Sequence, residues 1–160
     1  MKIMIIGSTA FAEQMVNYRQ KLIDLGHEVI LHEHYRNWGS GQKAEINYDG
    51  DQLTLDHKEL IKKIGAEEHA KLKKENNYIK VHYEEILESD VVLVLNFDKN
   101  NIKNYIGGNT LIEIGQAYVN NKKIFLLNPI PDISYKAEIE AMEPVVLNGG
   151  LDKINQLVKN

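Results

Sequence analysis

The 160-residue chain reads as an α/β domain whose mostly parallel sheet is covered by helices on both faces. Three observations lead there. Short apolar runs alternate with segments of helical period, as in chains built from strand–helix–strand units. The runs Ile3 to Ile6 and Val91 to Leu95 are apolar without alternation, as strands buried on both faces are. Glycine or Asn-Pro pairs stand at the joints. The length fits one domain with a core of its own.

Lys2-Ile3-Met4-Ile5-Ile6 is the first expected strand, ending at Gly7-Ser8-Thr9. Phe11, Met15, Tyr18, Leu22 and Leu25 then recur at helical spacing, and Gly26 closes that helix. Strand, Gly-Ser turn and helix in this order form the first half of a mononucleotide-binding unit, so Gly7 and Ser8 are candidate ligand contacts at a helix start. The turn lacks the spaced glycines of a dinucleotide fingerprint and serves equally well as a chain reversal.

His27 to His32 reads as the second strand. From Glu33 to Gly65 no period is sustained, and Tyr35, Trp38, Gly39, Gly41, Tyr48, Gly50 and His57 fall in what is expected to be an irregular insertion or lid. Its aromatics either stack on a planar base or pack over an edge of the sheet. Ala66 to Glu88 is expected to be helical with a break near Asn76-Asn77, its charged first half a solvated face and Ile79, Tyr83, Ile86 and Leu87 facing inward.

Asp90 to Asn96 is the clearest central strand. Asp90 at its start reads as a cap, while Asn96 and Asp98 at its carboxyl end are candidates for sugar-hydroxyl contacts. A helix follows from Asn109 to about Asn121, and Lys123 to Leu127 is a fourth strand, stopped by Asn128-Pro129-Ile130-Pro131. A short helix near Tyr135 to Met142, a strand Pro144 to Leu147, the turn Asn148-Gly149-Gly150 and a terminal helix from Leu151 complete the alternation. The expected architecture is a single-domain, flavodoxin- or Rossmann-like three-layer sandwich with about five strands.

The chain has no cysteine, which excludes disulfides, thiolate metal sites and a cysteine nucleophile. A net charge of -4 leaves no basic footprint for nucleic acid. The apolar runs are strand-sized, short of the roughly 20 residues a membrane helix needs. Met1-Lys2 leads straight into a strand without a signal-peptide pattern, so a cytoplasmic protein is expected.

The densest motif is Gly107-Gly108-Asn109-Thr110-Leu111-Ile112-Glu113-Ile114-Gly115-Gln116-Ala117-Tyr118. Two readings stand side by side. In one, Gly107, Gly108 and Asn109 let backbone amides approach a ligand, and Glu113, in the first helical turn, is the reactive carboxylate. In the other, Thr110 and Glu113 form a capping box and the glycines are turn residues. His82 is either a partly buried helix histidine or an acid–base group. His32-x-His34 with His82 has metal-ligand chemistry, but no carboxylate sits at ligand spacing with them, so neither metal nor cofactor is expected.

On these residues the chain resembles the nucleoside 2-deoxyribosyltransferase-like family, which includes nucleotide N-glycoside hydrolases. The likeness rests on Ile5-Ile6-Gly7-Ser8, on Ser89-Asp90-Val91-Val92-Leu93-Val94, and above all on Gly107 to Tyr118 followed by Lys122-Lys123-Ile124-Phe125. It leaves out the insertion from Glu33 to Gly65. The family's nucleophilic glutamate, in a Gly-Thr-x-x-Glu-Leu/Ile-Gly-x-Ala setting, falls on Glu113. The resemblance implies attack of that carboxylate on C1′ of a nucleoside or nucleotide, a glycosyl ester, and transfer to a second base or to water. It also implies a small-molecule partner, no cofactor and a homo-oligomer, expected to be a dimer.

The sequence departs from the family at Ile5-Ile6, where an aromatic residue is usual, and at Asn109, where glycine often precedes the threonine. Thr9-Ala10-Phe11-Ala12 stands where nucleotide-specific hydrolases carry an arginine. His82 stands near the position of a family acid and is the candidate to replace it as proton donor to the leaving base. A more distant likeness, to phosphoribohydrolases of cytokinin-type nucleotides, overlaps Gly107 to Glu113 imperfectly and implies the same bond. The alternative function is a nucleotide-binding sensor or regulatory module in which Glu113 is only a cap.

Overall fold

The structure is a computed structural model and describes residues 1–41, 43–48, 51–55 and 64–157. In chain order its elements are β1 (Lys2–Gly7), α1 (Ala12–Asp24), β2 (Glu28–Ile30), α2 (Glu33–Gly39), β3 (Ala44–Tyr48) and β4 (Asp51–Leu55). Next come α3 (Ala66–Glu75), α4 (Tyr78–Glu88), β5 (Val91–Leu95), α5 (Gly108–Val119) and β6 (Lys123–Leu126). The chain ends with α6 (Lys136–Ala141), β7 (Val145–Val146) and α7 (Lys153–Leu157).

Five strands form one parallel sheet in the order β2-β1-β5-β6-β7. This is the flavodoxin-like doubly wound order, with its switch point between β1 and β5. Side chains alternate across the sheet and both faces are dry. Ile3, Ile5, Leu93, Leu95 and Phe125 pack with Met15 and Leu22 of α1 and Ile154 of α7. On the other face Met4, Ile6, Val92, Val94 and Leu126 pack with Ile86 of α4, Ile114 and Ala117 of α5, and Ile139 of α6. The three-layer sandwich read from the sequence is therefore the observed fold.

Short polar contacts tie the strand ends. Asp90 Oδ2 accepts the Lys2 amide at 2.7 Å, so Asp90 fastens the start of β5 to β1. Lys122 Nζ donates to the Leu87 and Ser89 carbonyls at 2.8 and 2.6 Å, closing the end of α4. At Gly7 the strands come so close that a Cβ would meet the Leu95 carbonyl oxygen at 2.7 Å.

The stretch after β2 differs from the expected irregular loop. It holds the helix α2 and the antiparallel hairpin β3–β4, registered from Ala44↔Leu55 to Tyr48↔Asp51. α2 lies against α1, and Gly39 makes that approach possible, because a Cβ there would run into the Ala12 carbonyl oxygen and meet Val16 Cγ2 at 2.6 Å. Gly50, His57 and the side chains of Trp38 and Tyr48 lie outside the described residues. The helical break falls between α3 and α4, where Asn77 adopts a left-handed φ of 50°.

Candidate functional site

The helix carrying the densest motif starts earlier than its spacing predicts. Gly107 is the N-cap of α5, without a side-chain cap bond, and Gly108 begins the helix. Thr110 is then an interior residue, 2% exposed, and Glu113 lies beyond the first turn, which contains no acidic residue. The capping box is therefore not formed. Glu113 turns toward α4 instead, where its Oε1 accepts a hydrogen bond from His82 Nδ1 at 2.6 Å. Both residues are buried, at 6% and 8% exposure.

This buried pair forms part of the wall of a pocket at the carboxyl end of β1. Thr9, just past β1, and Asn109, Glu113 and Gln116 of α5 form one side. Lys73 of α3, with Tyr78 and His82 of α4, forms another, and His32, His34 and Tyr35 from the end of β2 and α2 close it. The rings are interleaved. His32 and His82 stand edge to face with centroids 4.8 Å apart, Tyr35 lies 5.6 Å from His82, and His34 lies 5.0 Å from Tyr78. Such a wall offers faces and edges to a planar ligand.

Burial sets the electrostatics. It holds the His32 imidazole down at about 3, with nearby His82, His34 and Arg36 adding to the effect, so His32 is neutral at physiological pH. Burial also lowers Lys73, although the Glu113 carboxylate pulls it the other way, and Lys73 Nζ donates to Asn109 Oδ1 at 3.0 Å. The Tyr35 phenol is raised well above its ordinary range by burial and then by Glu113 and Glu85. Tyr78 is pushed by burial to about 12. Gln116 Oε1 is buried without a hydrogen-bond partner among the described residues, a polar atom that a ligand donor would satisfy.

The structure separates the residues picked out in the sequence. Glu113, His82 and Asn109 come together in the pocket. Ser8 lies next to it: its Oγ caps the short turn Thr9–Phe11 by accepting the Ala10 amide at 3.3 Å, and receives Lys99 Nζ at 2.8 Å. Gly7 is the closely packed end of β1, and Gly107 and Gly108 are the cap and first residue of α5; none of the three is a pocket-wall residue.

Asn96 and Asp98 correct the sequence reading. Asn96 is fully buried, and its amide is used up as a clamp: Nδ2 donates to the Asn128 and Pro129 carbonyls at 3.1 Å and Oδ1 accepts the Asn128 amide at 2.9 Å. Asp98 Oδ1 accepts the Asn104 amide at 2.9 Å and shapes the loop after β5. Neither residue lines the pocket.

Lys73, Tyr78, Gln116 and Glu85 went unselected. Lys73, Tyr78 and Glu85 are remote from Glu113 in the chain and only the fold brings α3 and α4 against α5, whereas Gln116 lies one turn on from Glu113 in the same helix. One signal was legible: His82 and Glu85 are three residues apart, on one face of a helix.

The chain matches no protein-family model and no curated protein. Among solved structures it is similar to Clostridium botulinum CMP N-glycosidase, BcmB, over 100% of both chains, with 16% identity and a TM-score of 0.44. Similarity at that level carries no functional argument, and the fold stands on the strand order itself.

Proposed function

We propose that the protein acts on the N-glycosidic bond of a nucleoside or nucleotide, with Glu113 as nucleophile and His82 as its positioning residue. The observation that carries this reading is the Glu113–His82 hydrogen bond of 2.6 Å at the wall of a pocket lined by aromatic and imidazole rings. With Oε1 held by the His82 N–H, Oε2 makes no hydrogen bond among the described residues and is the oxygen to attack C1′. A C1′–O bond forms as the C1′–N bond breaks, and its electrons leave with the base, which takes up a proton from solvent water. Water or a second base then attacks C1′ and releases the carboxylate. In this reading the rings of His32, Tyr35 and Tyr78 hold the base, and Ser8 with Lys99 meets a 5′ substituent.

The proposal extends to a homodimer through the α4–α5 surface, where Ile79, Leu87, Ile112, Tyr118 and Val119 are exposed. No described helix is long and apolar enough to cross a membrane.

The test is chromatography of free base after incubation with a panel of nucleosides and 5′-monophosphates, with and without a second base. Base release that Glu113→Gln abolishes supports the reading, and dependence on the second base marks transfer rather than hydrolysis. Saturable binding with no release from any substrate would replace it with the nucleotide-binding module.

A further inference from the structure

We propose that His32, His82 and Glu85 form a binding site for a divalent cation, and that Zn²⁺ is the ion their donor set suits. One ligand atom from each residue lies within 4.8 Å of the other two. Ligands of a tetrahedral ion at about 2.0–2.2 Å stand roughly 3.3–3.6 Å apart, so the three must draw together by about an ångström, which side-chain rotation can supply. Two imidazoles and one carboxylate form a donor set found in zinc sites with an open position.

Each donor is prepared by a separate feature. Glu85 Oε2 is buried and has no hydrogen-bond partner among the described residues, an unstable situation for a carboxylate oxygen unless a proton or a cation meets it. His82 and Glu85 share a face of α4 through their spacing of three residues. His82 Nδ1 is already bonded to Glu113, which leaves Nε2 as its ligand atom and makes Glu113 the outer carboxylate that orients a metal-binding histidine.

His32 Nδ1 accepts the His34 amide at a long 3.3 Å. Ligation through Nε2 moves the ring proton from Nε2 to Nδ1 and gives up that contact, with no net proton released. Around Glu85 the carboxylates of Glu113 and Glu88 favour a dication, against the nearby guanidinium of Arg36. His32 and His82 also belong to the pocket wall, so the ion's open position adjoins the pocket.

This inference stands apart from the N-glycosidic reading, because its test reads metal and not turnover. The full chain, stripped with EDTA and dialysed, is titrated with ZnCl₂ by calorimetry and with CoCl₂ by visible absorption. The expected result is one equivalent bound, with the intense visible bands of low-coordinate Co²⁺. Glu85→Gln and His32→Gln should each weaken binding about tenfold or more, while His69→Gln binds as wild type does. A thermal midpoint that rises with Zn²⁺ in the wild type but not in Glu85→Gln, with equal midpoints in EDTA, separates lost ligation from lost folding. Absence of saturable binding, or affinity that follows His69 rather than Glu85 and His32, would overturn the site.

Discussion

His82 Nδ1 and Glu113 Oε1 meet at 2.6 Å across the junction of α4 and α5, both buried, and each makes the other tolerable there. Removing one partner leaves the other as an unpaired polar group in the interior, at a cost of about 1–3 kcal/mol. If Glu113 is the nucleophile, Glu113→Gln should lower kcat by about a thousandfold or more. His82→Asn should lower kcat far less, with KM little changed, as expected for a group that positions the carboxylate. Steady-state kinetics on the two single variants and the double variant will show strong non-additivity if the pair acts as one unit. Additive losses would separate the two roles.

Asn96 provides the contrast. Its side chain makes three hydrogen bonds to the chain after β6 from a fully buried position. Asn96→Ala is expected to destabilise the fold by about 2–4 kcal/mol, measured by urea denaturation. Saturating activity per folded molecule should stay close to wild type. A variant of normal stability with selectively raised KM would restore Asn96 as a sugar contact.

Gly39 is predicted to be irreplaceable for packing rather than for turning. A Cβ at this position runs into the Ala12 backbone, which cannot swing aside as a side-chain tip can. Gly39→Ala should cost about 1–3 kcal/mol by overpacking and loosen α2 from α1. Hydrogen exchange of the α2 amides is the direct readout, and unchanged protection would contradict the close approach.

His27 sets a pH dependence away from the pocket. It is buried, neither ring nitrogen has a hydrogen-bond partner among the described residues, and its pKa is lowered by burial and then by the N-terminal amino group. Below about pH 6.5 the unfolded chain takes up a proton that the native histidine refuses. Stability therefore falls as pH drops from about 6.5 toward the lowered value, and is flat in this respect above it. His27→Leu should remove this part of the acid sensitivity. Urea midpoints at pH 7.5 and pH 5.5 should differ less in the variant than in the wild type.

The sheet was legible because its strands β1 and β5 carry apolar runs without alternation, a pattern that burial on both faces explains. The helix α2 was not, because seven residues give too few turns for a period to appear. The hairpin had a local signal, Asp49-Gly50 between the alternating Ile46, Tyr48 and Leu53, Leu55, which the density of glycines and charges around it obscured. Glu113 and His82 each stood out in the sequence, but their pairing did not. One of the two readings of the motif gave Glu113 a bond back to its own helix start, and packing of α4 on α5 supplied an imidazole instead.

The division of the pocket between chain segments has a consequence for how the protein can diversify. Glu113 rides on a helix locked into the sheet through Ile114 and Ala117, whereas His32, His34, Tyr35 and Lys73 come from the end of β2 and the stretch of chain that leads from it to α4. Exchange of that stretch between related chains would re-tailor the opposite wall while the carboxylate and its mounting stayed as they are.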